Sequence, residues 1–222
     1  MRKLIVGAQV SIDGVMQAPG GPTEDPTMGF QFGGWAMPYF DQAFGEEIGR
    51  LFQNFDLLLG RKTYEIFAAY WPYSDENGPD GGIAKQFKQV KKYVVSRAGE
   101  LDTSWAGSVL LGDIAAVKRL KAGNGPTLVT QGSTELVHAL LAEDLVDAMS
   151  IFTIPIVLGS GKKLFADGSA PHSFTLVGSR VSPNGLIVAH YERKGQIKTP
   201  ATPLDAPSDR EIARQKRMKR EG

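Results

Sequence analysis

Two short stretches combine residue types that suit an anionic ligand. In Leu57-Leu58-Leu59-Gly60-Arg61-Lys62-Thr63-Tyr64, an apolar run reaches a glycine and is followed by two cations and a hydroxyl. If the glycine closes a buried strand and Arg61 opens a helix, the free N–H groups of the first turn and the helix dipole draw an anion there. Two cations are poorly placed at a positive helix end unless something negative compensates them. The plainer reading is a strand–helix turn with solvated charges. The second stretch is Thr127-Leu128-Val129-Thr130-Gln131-Gly132-Ser133-Thr134. Gly132 allows close backbone approach, and Ser133 and Thr134 add hydroxyls to exposed N–H groups, although an N-cap role explains Ser133 equally well. The stretch matches neither the G-x-G-x-x-G fingerprint nor a Walker loop, and it has no lysine.

Between them, Tyr93-Val94-Val95-Ser96-Arg97 reads as a strand ending in a hydroxyl and a guanidinium. Arg suits bidentate phosphate recognition, and at the carboxyl edge of a parallel sheet this pair could bind a ribose 2′-phosphate. An exposed loop charge is the other reading of Arg97. Asp13 precedes Gly14 after an apolar run, which is an ordinary turn signal. The alternative sets its carboxylate at the mouth of a site, where it orients a substrate or relays a proton. Trp35, Tyr39 and Trp71 could stack on a flat heterocycle, but aromatics more often build a core. His138, His172 and His190 lack partners at metal-ligand spacing, and Ser133 has no His/Asp constellation in readable register.

The elements that must position these residues alternate short β-branched runs with helical patterns. Strands are expected at residues 4–10, 56–60, 92–96, 109–111 and 127–130, then at 148–156, 173–182 and 186–193. Helices are expected at 40–54, 61–69, 83–91, 114–122 with Asp113 as N-cap, and 133–142. Residues 17–35 form a long Gly- and Pro-rich loop, ordered or mobile. Pro183-Asn184-Gly185 turns a terminal hairpin, with Asn-Gly supplying positive φ angles. The pattern is that of a mostly parallel sheet with an antiparallel edge and flanking helices. Residues 1–195 read as one domain. The tail 196–222 is basic and lacks an apolar face, and is expected to be disordered or a frayed helix.

Composition excludes several classes. The 222 residues are 42% hydrophobic and 22% charged, with a formal net charge of +1, so no global field favours nucleic acid or an anionic membrane. Cys is absent, which removes disulfides, thiolate metal sites and a cysteine nucleophile. The N-terminus lacks a signal-peptide apolar region, and no stretch approaches the roughly 20 apolar residues of a membrane span. The chain reads as a soluble, cytoplasmic protein.

The ordered set, strand-Gly60-Arg61-Lys62-Thr63, strand-Ser96-Arg97 and strand-Gly132-Ser133-helix, resembles the dihydrofolate-reductase-like family. That family includes the reductase domain at the C-terminus of bacterial riboflavin-biosynthesis deaminase/reductases. Ser11-Ile12-Asp13-Gly14 looks like its first strand and closing loop, and Val146-Asp147 with Ile154-Pro155-Ile156-Val157-Leu158-Gly159-Ser160-Gly161 is similar to the riboflavin branch. The resemblance implies a three-layer α/β fold and NADPH as cofactor. It implies that Gly60, Arg61, Lys62 and Thr63 hold phosphates and that Ser96 and Arg97 lie near the 2′-phosphate. Gln131, Gly132, Ser133, Thr134 and Glu135 would line the pyrophosphate, with Ala8 and Gln9 beside the nicotinamide. It also implies a reductase of a small pterin- or pyrimidine-like heterocycle, possible as a homodimer through late strands.

The chain departs from that pattern in places. The acid that dihydrofolate reductases carry before the second strand aligns with Phe44, while Asp41 and Glu47 lie about a turn to either side. Asp41 is therefore the candidate acid only if the alignment slips by a turn; otherwise it is a helix-start carboxylate. The riboflavin branch's Asp-Pro-x-Leu-x-x-Arg stretch, its glutamate at the Thr130 position and the Pro-Cys-x-x-Cys of its deaminase are all missing. A stand-alone relative with another substrate fits better. The rivals are an NADP-binding module without turnover and a nucleic-acid binder acting through Arg210 to Arg220, which Asp209, Glu211 and Glu221 dilute.

Overall fold

A computed structural model describes residues 1–98, 101–165, 167–199 and 206–221. The strands are β1 (Leu4–Ser11), β2 (Phe55–Gly60), β3 (Lys92–Val95), β4 (Ser108–Leu111), β5 (Thr127–Gln131), β6 (Ala148–Ile154), β7 (Ser173–Val181) and β8 (Ile187–Gly195). The helices are α1 (Gln42–Leu51), α2 (Arg61–Tyr70), α3 (Gly81–Gln89), α4 (Ile114–Ala122), α5 (Thr134–Ala142) and α6 (Asp209–Glu221). One eight-stranded sheet runs in the order β4-β3-β2-β5-β1-β6-β8-β7. It is parallel from β4 to β6, and β8 and β7 complete it antiparallel. The expected fold class is the one found.

Side-chain alternation along each strand sorts the core into two layers. Leu57, Leu59 and Val129 pack with Ile48 and Leu51 of α1, Tyr64 of α2 and Phe87 of α3. Leu58 and Leu128, one residue out of phase, pack with Val117 of α4 and Leu136, Val137 and Leu140 of α5. Three helices therefore cover one face and two the other. Local signals set several boundaries: Asp113 caps α4 by accepting from the Ala116 N–H at 2.7 Å, as its position predicts.

The amino edge of the sheet is tied by buried ions. Arg2 pairs with Asp56, and Lys121 pairs with Asp147, whose Oδ2 also accepts the Leu4 N–H at 2.7 Å. Lys92 is fully buried beside them on β3, with its Nζ 4.4 Å over the Trp105 ring and donating to Ala106 O at 2.8 Å.

One expectation needs correction. In the β7–β8 turn the positive φ falls on Gly185 alone (82°), and Asn184 is not left-handed. The Gly185 N–H donates to Ser182 O at 3.0 Å, and the Ser182 N–H donates to Leu186 O at 2.8 Å. The loop therefore closes over three residues ending in a left-handed glycine, which is wider than a two-residue Asn-Gly turn. The tail contains α6, a helix with no buried residue, while residues 200–205 of its Pro/Thr-rich linker lie outside the described residues. Among the described residues no helix is long and apolar enough to cross a membrane.

Burial holds the Lys92 ammonium down at about 8, against an ordinary 10.5. Between those values the unfolded chain binds more protons than the folded one, so this group's contribution to stability rises with pH. Wild type should therefore gain stability relative to Lys92→Met as pH increases from about 8 to 10.5, read by denaturant unfolding at each pH. A pH-independent difference would contradict this account.

Candidate functional site

Strands β2 and β5 are neighbours, yet the helices that follow them leave toward opposite faces. That divergence makes the carboxyl edge at Gly60 and Gly132 a topological switch point, the kind of place where open α/β sheets bind ligands. The two junctions touch. The Gly60 N–H donates to Ser133 Oγ at 2.9 Å, and the Ser133 N–H donates to Thr63 Oγ1 at 3.0 Å. Gly132 takes φ +66°, and a Cβ there would meet the Thr63 methyl and hydroxyl at 3.3 Å, so close approach and backbone both call for glycine.

Ser133 stands at the N-cap position of α5 but makes no side-chain cap; its backbone is left-handed, with φ 59° and ψ 51°. This corrects the N-cap reading, because its hydroxyl is spent on the neighbouring junction. The first bond of α5 runs from the Val137 N–H to Ser133 O at 2.9 Å. The N–H groups of Thr134, Glu135 and Leu136 thus lie ahead of the helical ladder, as do those of Arg61, Lys62 and Thr63 in α2.

The charges near the two junctions are accessible. Lys62 and Arg97 are exposed, and Arg61 forms an exposed pair with Glu65 at 2.8 Å on its own helix. Ser96 is buried, donates its N–H to Leu111 O at 3.0 Å and accepts the Ala98 N–H on Oγ at 3.1 Å, so its hydroxyl shapes the turn that presents Arg97. Glu135 is an exposed acid in the first turn of α5. Gln131 ends β5 opposite Gly7 of β1, and Ala8 and Gln9 continue β1 as buried residues paired with Ile151 and Phe152 of β6. Gly60, Thr63, Gly132 and Ser133 are brought together directly; Ser96–Arg97 lie one strand away from β2, and Ala8–Gln9 one strand away from β5.

The candidate carboxylates are engaged. Asp13 accepts Ser11 Oγ–H at 2.6 Å, the Leu158 N–H at 3.1 Å and the Gly159 N–H at 2.8 Å. The Ser11 bond first, then the Leu158 bond, hold its pKa at about 2, so it is ionised at neutral pH and fastens the first loop to residues 158–159. Asp41 caps α1 through the Phe44 N–H at 2.9 Å and approaches the Asn184 N–H at 3.4 Å. The Phe44 bond holds its pKa below the ordinary carboxylate value. Phe44 stacks on Phe40 at 3.9 Å and meets Phe152 edge-on at 5.4 Å, so an aromatic cluster stands where the resemblance places an acid.

Sequence reasoning placed Glu47 about a turn from Phe44 but did not anticipate its burial or its partners. It is buried on α1, receives Arg50 at 2.9 Å and faces His190 Nε2 at 3.2 Å, while His190 Nδ1 lies 2.9 Å from Ser150 Oγ. The signal was a charge on the apolar stripe, three residues after Phe44 and four before Leu51. The 17–35 loop is ordered around Gln17, which donates to Asp25 O and Thr27 O and accepts the Lys162 N–H at 3.0 Å. Trp35 is buried, and Tyr39 and Trp71 pack against the same core, as the plainer reading of these aromatics held.

A family model described as the RibD C-terminal domain matches residues 2–188. The uncharacterized protein YyaP of Bacillus subtilis is 26% identical over 201 residues, covering 87% of this chain and 96% of its own length. A putative riboflavin biosynthesis protein from Shewanella sp. PV-4 has a similar structure, with a TM-score of 0.59, 22% identity and coverage of 86% of this chain and 99% of its own. Dihydrofolate reductase from Enterococcus faecalis, solved with NADP(H), aligns with a TM-score of 0.56 and 12% identity over 86% of this chain and 96% of its own. At these identities the two structures speak for the fold.

If Asp41 serves as a cap, Asp41→Asn should keep the melting temperature, since Asn caps as well as Asp. Asp41→Ala should lower it by a few degrees. A proton-donating Asp41 would reverse the emphasis, with Asn abolishing turnover of any substrate found while stability stays unchanged.

Proposed function

Because the chain belongs to the RibD C-terminal domain family, a reductase-type family, we propose that it is an NADPH-dependent reductase of a small pterin- or pyrimidine-like heterocycle. The observation that carries this reading is the contact of two helix starts at the carboxyl ends of β2 and β5, with Arg61, Lys62 and Arg97 exposed on α2 and after β3. The residues fit a dinucleotide with an extra phosphate. First-turn N–H groups of α5, with Gln131 and Gly132 before them and Glu135 at their rim, suit a pyrophosphate. Arg97 and Lys62, both exposed, suit a 2′-phosphate, and Arg61 joins them by leaving Glu65. Ala8 and Gln9 of β1, one strand beyond β5, would take the nicotinamide end. NADPH, when bound, supplies the hydride.

On the substrate side the chain offers an apolar stack in place of an acid. Asp41 is spent as a cap and Glu47 in its ion pairs, so the proton for the reduction comes from solvent. The same stack favours a second reading, an NADP-binding module without turnover. A homodimer is also part of the proposal. Leu176, Val181 and Ile187 lie exposed on the last two strands, an apolar surface of the kind that paired subunits cover.

About 1 mM NADPH should raise the melting temperature by several degrees, as expected for ligand at roughly 100 times its Kd. Arg97→Ala should weaken NADPH about tenfold and leave NADH unchanged. No thermal shift would end the cofactor reading. Loss of nicotinamide absorbance with a pterin or pyrimidine supports the reductase, whereas binding without loss across such a panel supports the module. Light scattering should give about twice the 24.0 kDa chain mass, and Val181→Glu should return it to the single mass; a wild-type monomer would refute the dimer.

A further inference from the structure

We infer that Thr63 and Ser133 are positioning residues that clasp the two helix starts together and so select a ligand carrying separated phosphate groups. The inference rests on the dinucleotide reading above and deepens it. Three observations bear on it. The junction amides of Gly60 and Ser133, which a phosphate would be expected to take, are already satisfied by Ser133 Oγ and Thr63 Oγ1. These bonds join residues 73 and 70 apart in sequence, and between them they close a circuit through the first turn of α2 and the entry to α5.

Ser133 also holds a left-handed backbone that glycine would adopt freely. The side chain therefore brings a local penalty, which the two cross-junction bonds offset. Finally, the Thr63 side chain fills the space beside Gly132, so neither junction can move without disturbing the other. The hydroxyls spend their acceptor side on amides, and the anion is left to the first-turn N–H groups further along each helix. A ligand that bridges both starts senses the clasp; one that reads a single start does not.

The test combines amide hydrogen exchange in the ligand-free chain with calorimetric affinities for NADPH and for 2′-AMP. Ser133→Ala should deprotect the Gly60 amide and Thr63→Val the Ser133 amide. Each should weaken NADPH about tenfold, the double variant should be no weaker than either single, and 2′-AMP should be unaffected. Ser133→Gly, which relieves the left-handed strain, should show the same affinity loss and serves where Ser133→Ala folds poorly. Additive losses would mean two independent phosphate ligands and would overturn the clasp, as would an unprotected Gly60 amide in wild type. A wild type that protects both amides yet binds no NADPH would instead refute the cofactor reading, and with it the clasp's role in binding.

Discussion

The insertion of β5 between β2 and β1 is the constraint from which the rest of the architecture follows. Parallel neighbours whose helices leave on opposite faces create a topological switch point at the carboxyl edge, whatever the side chains. That point brings two helix starts, with their first-turn N–H groups, to the same edge. Serine and threonine then tie the two junctions together there.

The two edges of the sheet divide the work. At the amino edge, Arg2–Asp56 and Lys121–Asp147 are buried ion pairs reinforced by backbone bonds, an arrangement that anchors β1 and β2 and is costly to break by halves. At the carboxyl edge, charges are exposed and lightly paired. Arg61–Glu65 is an exposed pair of the kind that contributes little to stability, so releasing Arg61 to a stronger anion costs little. Stability and the proposed binding thus rest on different residues.

The carboxylates illustrate how the same side chain changes meaning with its surroundings. Asp13 is a loop fastener because three donors converge on it, and its low pKa follows from them. Asp41 is a cap because the Phe44 N–H is the nearest unpaired donor. Glu47 sits on the apolar stripe of α1 yet is tolerated there because Arg50 and His190 reach it. With these three engaged, α1 turns an aromatic surface toward β6 through Phe44 and Phe152.

Much of this was legible in the residue pattern, because the rules involved act within a turn or a strand. Periodicity located the helices and strands to within a few residues, Gly60 and Gly132 marked strand–helix junctions, Asp113 marked a cap, and the order of the three polar junctions pointed to the family. Spacing along the chain could not reveal contacts made across the sheet. The Asn184-Gly185 turn type depended on the register of β7 and β8, and the fate of Ser133 depended on Gly60, 73 residues away, coming alongside. Glu47 met His190 only once α1 had packed over β8. The sequence by itself determined that two anion-friendly helix starts exist; the tertiary structure decided that they face each other and share a hydrogen-bonded circuit. The physical reason is that propensity and capping are local energies, whereas strand order is chosen by which apolar faces can be buried together over the whole chain.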